Sequence, residues 1–170
     1  PDDGSIRSNM DKFWEAWQEL SIHPENQASR QAVVTRGETL TDSIKQRWES
    51  LDGIGNLIDG DIEATVRQVN NYAKQIAETN AEIVRSRAMG DNPNDLLDRR
   101  DLLVDKLSKL INITTDQRDN DEFMVHVDGK IIVQGSVSRE IGFAPREDDT
   151  GYQKLIWKDT GFDAIFKGGQ

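Results

Sequence analysis

Hydrophobic side chains recur every three or four residues through the first 111 residues of the chain, which predicts helices there. The first helix covers residues 5–21, with Ser5 as its N-cap, and the pair His23-Pro24 ends it. One face of this helix is apolar and comprises Ile6, Met10, Phe13, Trp14, Trp17 and Leu20. Because Trp14 and Trp17 are large for an exposed face, we expect this stripe to pack on another element rather than form a ligand box.

The longest helical pattern runs from residue 25 to residue 87. Its second half has a seam at residues 58, 62, 65, 69, 72, 76, 79 and 83, in alternating steps of four and three. This heptad rhythm is typical of a helix that packs along another helix. Gly53 and Gly55 would each cost about 1 kcal/mol relative to Ala inside a helix, which favours a break there. The apolar stripe keeps its phase across both glycines, so we prefer one unbroken helix.

A shorter helix is predicted at residues 93–111, after a turn at residues 88–91. Asn92 supplies a cap, Pro93 suits the first turn, and Asp95 lies near the positive end of the helix dipole. Its inner face comprises Leu96, Leu97, Leu103, Val104, Leu107, Leu110 and Ile111. Its outer face comprises Asp98, Arg99, Arg100, Asp101, Asp105 and Lys106. The short turn makes this helix antiparallel to the long one.

After Asn112 the hydrophobic period changes to two, which predicts strands. Residues 123–127 and 130–134 form a hairpin about Asp128-Gly129, with Phe123, Val125 and Val127 on one face and Met124 and His126 on the other. Further strands are expected at residues 139–143, 153–157 and 163–166, with a charged loop at 145–150. The predicted fold class is α+β, with a long antiparallel helical hairpin or bundle at residues 1–111. A small antiparallel β domain follows at residues 112–170, and we expect it to be incomplete at its C-terminal end.

Composition excludes several classes of function. The 170 residues include 31 acidic and 21 basic side chains, which gives a net charge of −10. Binding to nucleic acid or to an anionic membrane surface depends on clustered Lys and Arg, so this charge argues against both. Cys is absent, which removes disulfides, thiolate zinc sites and Cys nucleophiles. No apolar run approaches the roughly 20 residues of a transmembrane helix.

The residues that could carry catalytic chemistry are only weak candidates. His23 lies in a loop and His126 on the outward face of a strand, so they form no base–nucleophile pair. Two acidic clusters suggest calcium sites, but neither has the ligand spacing of the calcium loop. These clusters are Asp59, Asp61 and Glu63, and Asp116, Asp119, Asp121 and Glu122. Residues 98–101 are better explained as a solvated helix face with local charge pairing. We therefore expect no catalytic residue, no metal ligand and no cofactor.

The stretch NPNDLLDRRDLLVDKLSKLINI at residues 92–113 is more specific. It resembles the signature of the bacterial flagellar hook-associated proteins that form the first hook–filament junction. The residues that carry this resemblance, which we expect to pack or cap the helix, are Pro93, Asn94, Leu96, Leu97, Asp98, Arg100, Asp101 and Leu103. Residues 13–20, 28–34, 69–83 and 133–141 also resemble this family in the family's own order.

The resemblance implies a structural, non-enzymatic protein of the flagellum that adapts the hook to the filament. It implies contacts with the hook protein, with the second junction protein and with copies of itself in a ring, the helices lying beside neighbouring subunits. It also implies secretion to a flagellum that is extracellular, or periplasmic if internal. Relative to the family, the chain is expected to be a fragment lacking both terminal regions, to which an export chaperone would bind.

Two other functions remain open at this point. One is a generic coiled-coil adaptor module that binds other proteins, because heptads alone are not specific to the flagellum. The other is a metal-assisted hydrolase that uses the acidic loop.

Overall fold

A computed structural model describes residues 5–118, 122–147 and 151–166. Three helices come first: α1 (Ile6–Ile22), α2 (Gln27–Ala88) and α3 (Asn94–Ser108). Six strands follow: β1 (Ile113–Gln117), β2 (Phe123–Val127), β3 (Lys130–Gln134), β4 (Val137–Ser138), β5 (Ile141–Pro145) and β6 (Gln153–Trp157). The predicted α+β class is confirmed.

Contacts within the chain divide it into two units, Pro1–Leu57 and Ile58–Gln170. This division falls inside α2, because the second half of that helix shares a hydrophobic core with α3 and the strands. The division into domains at 1–111 and 112–170 stays a prediction.

In the first unit, α1 begins and ends where the sequence predicts. The hydroxyl oxygen of Ser5 accepts a hydrogen bond from the Ser8 N–H at 3.2 Å, and His23 follows the last helical residue. Phe13 is half-buried and packs over Gly37 of α2, where an added Cβ would lie 3.4 Å from the phenyl ring. Trp14 and Trp17 are 57% and 45% exposed, so the predicted apolar stripe of α1 packs on α2 only in part.

Helix α2 is continuous through Gly53 and Gly55, as predicted. Its start is capped by Asn26, whose side-chain oxygen accepts a hydrogen bond from the Ala28 N–H at 2.9 Å. It ends at Ala88, the first residue of the predicted turn, in which Gly90 has a φ of +90°. Glycine adopts this left-handed conformation without the steric cost that a Cβ would bring.

The core of the second unit combines one stripe of α2 with α3 and the strands. From α2 it takes Val66, Val69, Ala73, Ile76 and Ala77, and from α3 it takes Leu103 and Leu107. The strands and the segment after β6 add Phe123, Val125, Val127, Ile132, Val133, Ile141, Trp157 and Ala164. The heptad seam of α2 is therefore buried partly by strands, and not by a second helix alone.

Helix α3 differs from its prediction at both ends. Pro93 occupies the N-cap position with φ −83° and ψ 56°, and no side chain caps the helix. Asn92 is therefore not the cap. An Asn92 cap would require the helix to begin at Pro93, but the helix begins at Asn94. Asp95 lies in the first turn as predicted, but the helix ends at Ser108 rather than at residue 111.

The first sheet has the strand order β1-β2-β3-β4, and all its pairs are antiparallel. The predicted hairpin is confirmed, with Asp128 at φ 47° and Gly129 at φ 76° as two-residue hairpin turns require. Strand β1 is not predicted by the sequence pattern. The prediction that Met124 faces outward is wrong, because both faces of the interior strand β2 are covered and Met124 is buried.

The second sheet is the hairpin β5–β6. Strand β6 is where the sequence predicts it, whereas β5 lies two residues later than the predicted strand 139–143. The strand predicted at residues 163–166 is wrong, since only an isolated bridge joins Asp163 to Ile156. The charged loop predicted at residues 145–150 extends into residues 148–150, which lie outside the described residues.

Candidate functional site

The signature residues of the sequence divide into a buried and an exposed set along α3. Pro93, Arg100 and Leu103 are buried, and Leu96 and Leu97 are half-buried. The exposed set comprises Asn94, Asp98 and Asp101. The structure therefore brings only part of the signature into the core, and its role as a packing and capping motif stays a prediction.

The prediction that Arg100 lies on the solvated face of α3 is wrong. Its side chain is 7% exposed, and its guanidinium carbon lies 4.0 Å from the centroid of the Phe123 ring. The spacing of three and four residues places Arg100 in phase with Leu103 and Leu107, so this position belongs to the inner stripe. The aliphatic part of Arg packs against apolar neighbours, while the guanidinium is attracted to the face of an aromatic ring.

Two asparagines of α2, neither of them predicted from the sequence, bond to the strand region. The side-chain amide of Asn70 donates to the Ile141 carbonyl at 2.8 Å and accepts from the Ile141 N–H at 2.9 Å. Asn80 donates to the Gly135 carbonyl at 2.8 Å. Both asparagines fall in the buried stripe of α2, and a polar residue in such a stripe was the signal that could have identified them.

Charged residues gather where the chain passes from the first sheet to the second. Arg139 forms two hydrogen bonds to the Asp159 carboxylate, at 2.6 and 2.9 Å. The bond from Arg139 is the main cause that holds the pKa of Asp159 below its usual value. Lys158 donates to Glu140 at 2.7 Å and lowers the pKa of that carboxyl in the same way. These pairs stabilise the ionised carboxylates and give no group poised for proton transfer near neutral pH.

Among the described residues, the histidines and the members of the acidic clusters lie apart from one another in role and surroundings. His23 is exposed, and its Nδ1 lies 2.9 Å from the Glu19 carboxylate, while His126 is half-buried in β2. Within the part of the chain that the structure describes, no group of three or more His, Asp or Glu could hold a metal ion. Asp119 and Asp121 of the second acidic cluster lie outside the described residues. Among the described residues, no helix is both long and apolar enough to cross a membrane.

The first unit exposes many large apolar side chains. Those on α2 are Ile44, Trp48, Leu51, Ile54 and Leu57, and we call them together the apolar surface of α2. Trp48 is 70% exposed and Leu51 is 58% exposed. Large exposed apolar side chains that cluster on a surface mark contacts with proteins or membranes, or ligand-binding grooves. These side chains are therefore candidates for contact with another protein surface.

Comparisons with known proteins agree with this description. A family model described as the flagellar hook-associated protein FlgK helical domain matches residues 1–170. Flagellar hook-associated protein 1 of Salmonella typhimurium is 33% identical over 158 residues, which cover 91% of this chain and 29% of the relative. The protein of the same name from Bacillus subtilis is 32% identical over 112 residues, which cover 66% of this chain and 22% of the relative.

A solved structure is also similar. The flagellar hook junction protein FlgK from Burkholderia pseudomallei matches with a TM-score of 0.79 at 24% identity, over 91% of this chain and 27% of that one. This likeness supports the fold. The chain spans about three tenths of the length of the Salmonella relative. The match of the family along the whole chain confirms the resemblance seen in the sequence, and the chain belongs to the family of the flagellar hook-associated protein FlgK helical domain.

Proposed function

We propose that this chain is part of a structural protein that joins the hook of the bacterial flagellum to its filament. The observation that carries the proposal is the family match over residues 1–170, together with relatives named flagellar hook-associated protein 1. The heptad pattern alone would fit a generic coiled-coil adaptor equally well, and the family match favours the flagellar function over it. We propose that the protein is structural, without enzymatic activity and without a cofactor.

The function we propose is mechanical, so its mechanism lies in protein–protein contacts. The apolar surface of α2 supports this, because exposed Trp, Leu and Ile side chains are stabilised when another protein surface removes them from water. We propose that protein from outside these 170 residues covers this surface in the assembled junction. The partners of the whole protein would be the hook protein, the second junction protein and neighbouring copies of itself in a ring.

The proposed location follows from the proposed assembly. A protein at the junction of hook and filament is secreted, and it lies outside the cell or in the periplasm if the flagellum is internal. An export chaperone would bind regions of the protein other than this chain. The absence of Cys suits a chain that crosses a narrow export channel unfolded, because no disulfide has to form before it refolds.

Genetics in the bacterium that produces the protein tests the function. Cells that lack the full-length protein should retain hooks but release filament subunits into the medium, and the wild-type gene should restore filaments. Normal filaments in the deletion strain would contradict the proposed function.

A pair of variants tests whether the apolar surface of α2 is a contact in the junction. Replacing both Trp48 and Leu51 with Ser should reduce filament attachment, because both side chains are exposed in this chain and would lose their covering partner. The matched control is Glu49→Ser, which changes an exposed polar residue of the same helix turn. Equal filament attachment in the two strains, with equal amounts of exported protein, would exclude this surface as a contact.

A further inference from the structure

The two sheets of the second unit share no strand ladder. The chain leaves the first sheet at Ser138 and enters β5 at Ile141, so Arg139 and Glu140 alone join them. The position of the β5–β6 hairpin therefore depends on the contacts made at this crossing and on the contacts of the hairpin with α2, which include the two hydrogen bonds between Asn70 and Ile141.

Arg139 bonds to both sheets at once. Its backbone N–H donates to the Ile132 carbonyl of β3 at 2.8 Å. Its guanidinium forms two hydrogen bonds to Asp159, just after β6, and lies 4.3 Å from the centroid of the Trp157 ring. A planar guanidinium that both bonds a carboxylate with two N–H groups and stacks on a ring is held in one orientation. Arg139 thereby fixes the end of β6 relative to β3.

The neighbouring ion pair contributes less. The Lys158–Glu140 pair joins side chains that are both more than half exposed, and pairs of this kind add little to stability. The Arg139 and Asp159 side chains are 29% and 47% exposed, so water screens their pair somewhat less than it screens the Lys158–Glu140 pair.

The packing between the hairpin and α2 is incomplete, which increases the importance of Arg139. A groove of about 290 Å³, open to solvent, runs between them, with Val66 and Val69 on the helix side and Ile141, Leu155 and Phe166 on the other side. Side chains that line an open groove have water rather than protein atoms on one side, so packing holds the hairpin less firmly at this edge than a filled interface would.

We propose that Arg139 is a conformational latch: its contacts with Asp159 and Trp157 hold the β5–β6 hairpin closed, and their loss lets the hairpin open as a unit while the first sheet stays folded. Local opening of this kind is measured by amide hydrogen exchange. The inference is independent of the proposed flagellar function, because it concerns only contacts inside the second unit.

Hydrogen–deuterium exchange with mass spectrometry on the full-length protein tests the latch. Arg139→Met keeps the aliphatic stem but removes both hydrogen bonds and the stacked guanidinium. We expect exchange in peptides covering residues 141–145 and 153–157 to rise about tenfold, because charged hydrogen bonds and a cation–π contact of this strength are lost. Exchange in residues 123–134 should not change.

The matched control is Lys154→Met, which removes an ion pair from Lys154 to Asp163 but leaves the latch intact. We expect it to leave exchange in β5 and β6 within about twofold of wild type. Arg139→Lys keeps the charge but loses the two-bond geometry, so exchange should rise in the same strands by a smaller factor. This variant replaces Arg139→Met if Arg139→Met fails to fold. Unchanged exchange in the hairpin, or an equal rise in β2 and β3, would overturn the proposal for either Arg139 variant.

Discussion

The contact of Asn70 with Ile141 leads to the sharpest prediction about stability. The backbone groups of Ile141 point away from β6, because antiparallel ladders alternate bonded and non-bonded pairs and the Lys158 N–H bonds to the Glu140 carbonyl one residue earlier. Ile141 is 2% exposed, so neither group has access to bulk water. The amide of Asn70 satisfies both of them, at 2.8 and 2.9 Å.

Asn70→Ala should therefore lower the free energy of unfolding of the second unit by about 2–4 kcal/mol. Two neutral hydrogen bonds contribute about 1 kcal/mol each, and a buried group left without a partner costs about 1–3 kcal/mol. The gain in helix propensity from Asn to Ala offsets less than about 1 kcal/mol of this loss.

Denaturation followed by the fluorescence of Trp157 measures the effect, because Trp157 is the only tryptophan of Ile58–Gln170. Both variants and the reference should carry Phe at positions 14, 17 and 48, so that the signal comes from the second unit alone. The control is Asn71→Ala, which makes the same change at the adjacent exposed position of α2. An unfolding free energy for Asn70→Ala within about 0.5 kcal/mol of that control would refute the reasoning.

Three further predictions concern other sites. Gly53→Ala should raise the thermal midpoint of the chain in calorimetry, because an added Cβ meets nothing within 4 Å and Ala gains about 0.8–1 kcal/mol over Gly in a helix. Arg100→Met should lower the free energy of unfolding by about 1–2 kcal/mol in urea titrations, since the guanidinium over the phenyl ring is lost. Arg139 lowers the pKa of Asp159, so the contribution of this pair is present above the unfolded pKa of about 3.9 and is lost as pH falls through the folded value. Acid titration of Trp157 fluorescence should show this loss, and Asp159→Asn should reduce it while the similar contribution of Glu140 remains.

The elements that the sequence predicted correctly are those whose pattern is local. The cap at Ser5 and the turn at Asp128-Gly129 are decided within a few residues, and both are found where expected. The incorrect predictions concern long-range partners. Residues 163–166 form no strand because only one bridge pairs them with β6, and Arg100 is buried because Phe123 of a distant strand lies beneath it. Neither partner is visible in the local sequence.

The asparagines show why a polar residue in an apolar stripe is informative. Asn70 and Asn80 lie in phase with the core residues Ala73 and Ala77 of α2, one position after the seam residues 69 and 79, so the heptad seam alone does not include them. A buried amide needs hydrogen-bond partners, so such a position predicts that backbone groups approach the helix at that height. The sequence does not indicate which backbone segment approaches the helix, because Ile141 lies 71 residues away from Asn70 along the chain.

The heptad seam of α2 shows in the same way that a sequence pattern does not identify the partner that covers it. One periodic pattern continues along the helix, yet Val69 and Ile76 are buried while Ile58 and Ile62 are exposed. The difference comes from the strands and α3, which cover the seam only in its later part. An apolar period states that a surface is to be covered, but it does not state whether the covering segment belongs to the same chain. The exposed part of the seam and the apolar surface of α2 are therefore where contacts with protein outside these 170 residues should be sought first.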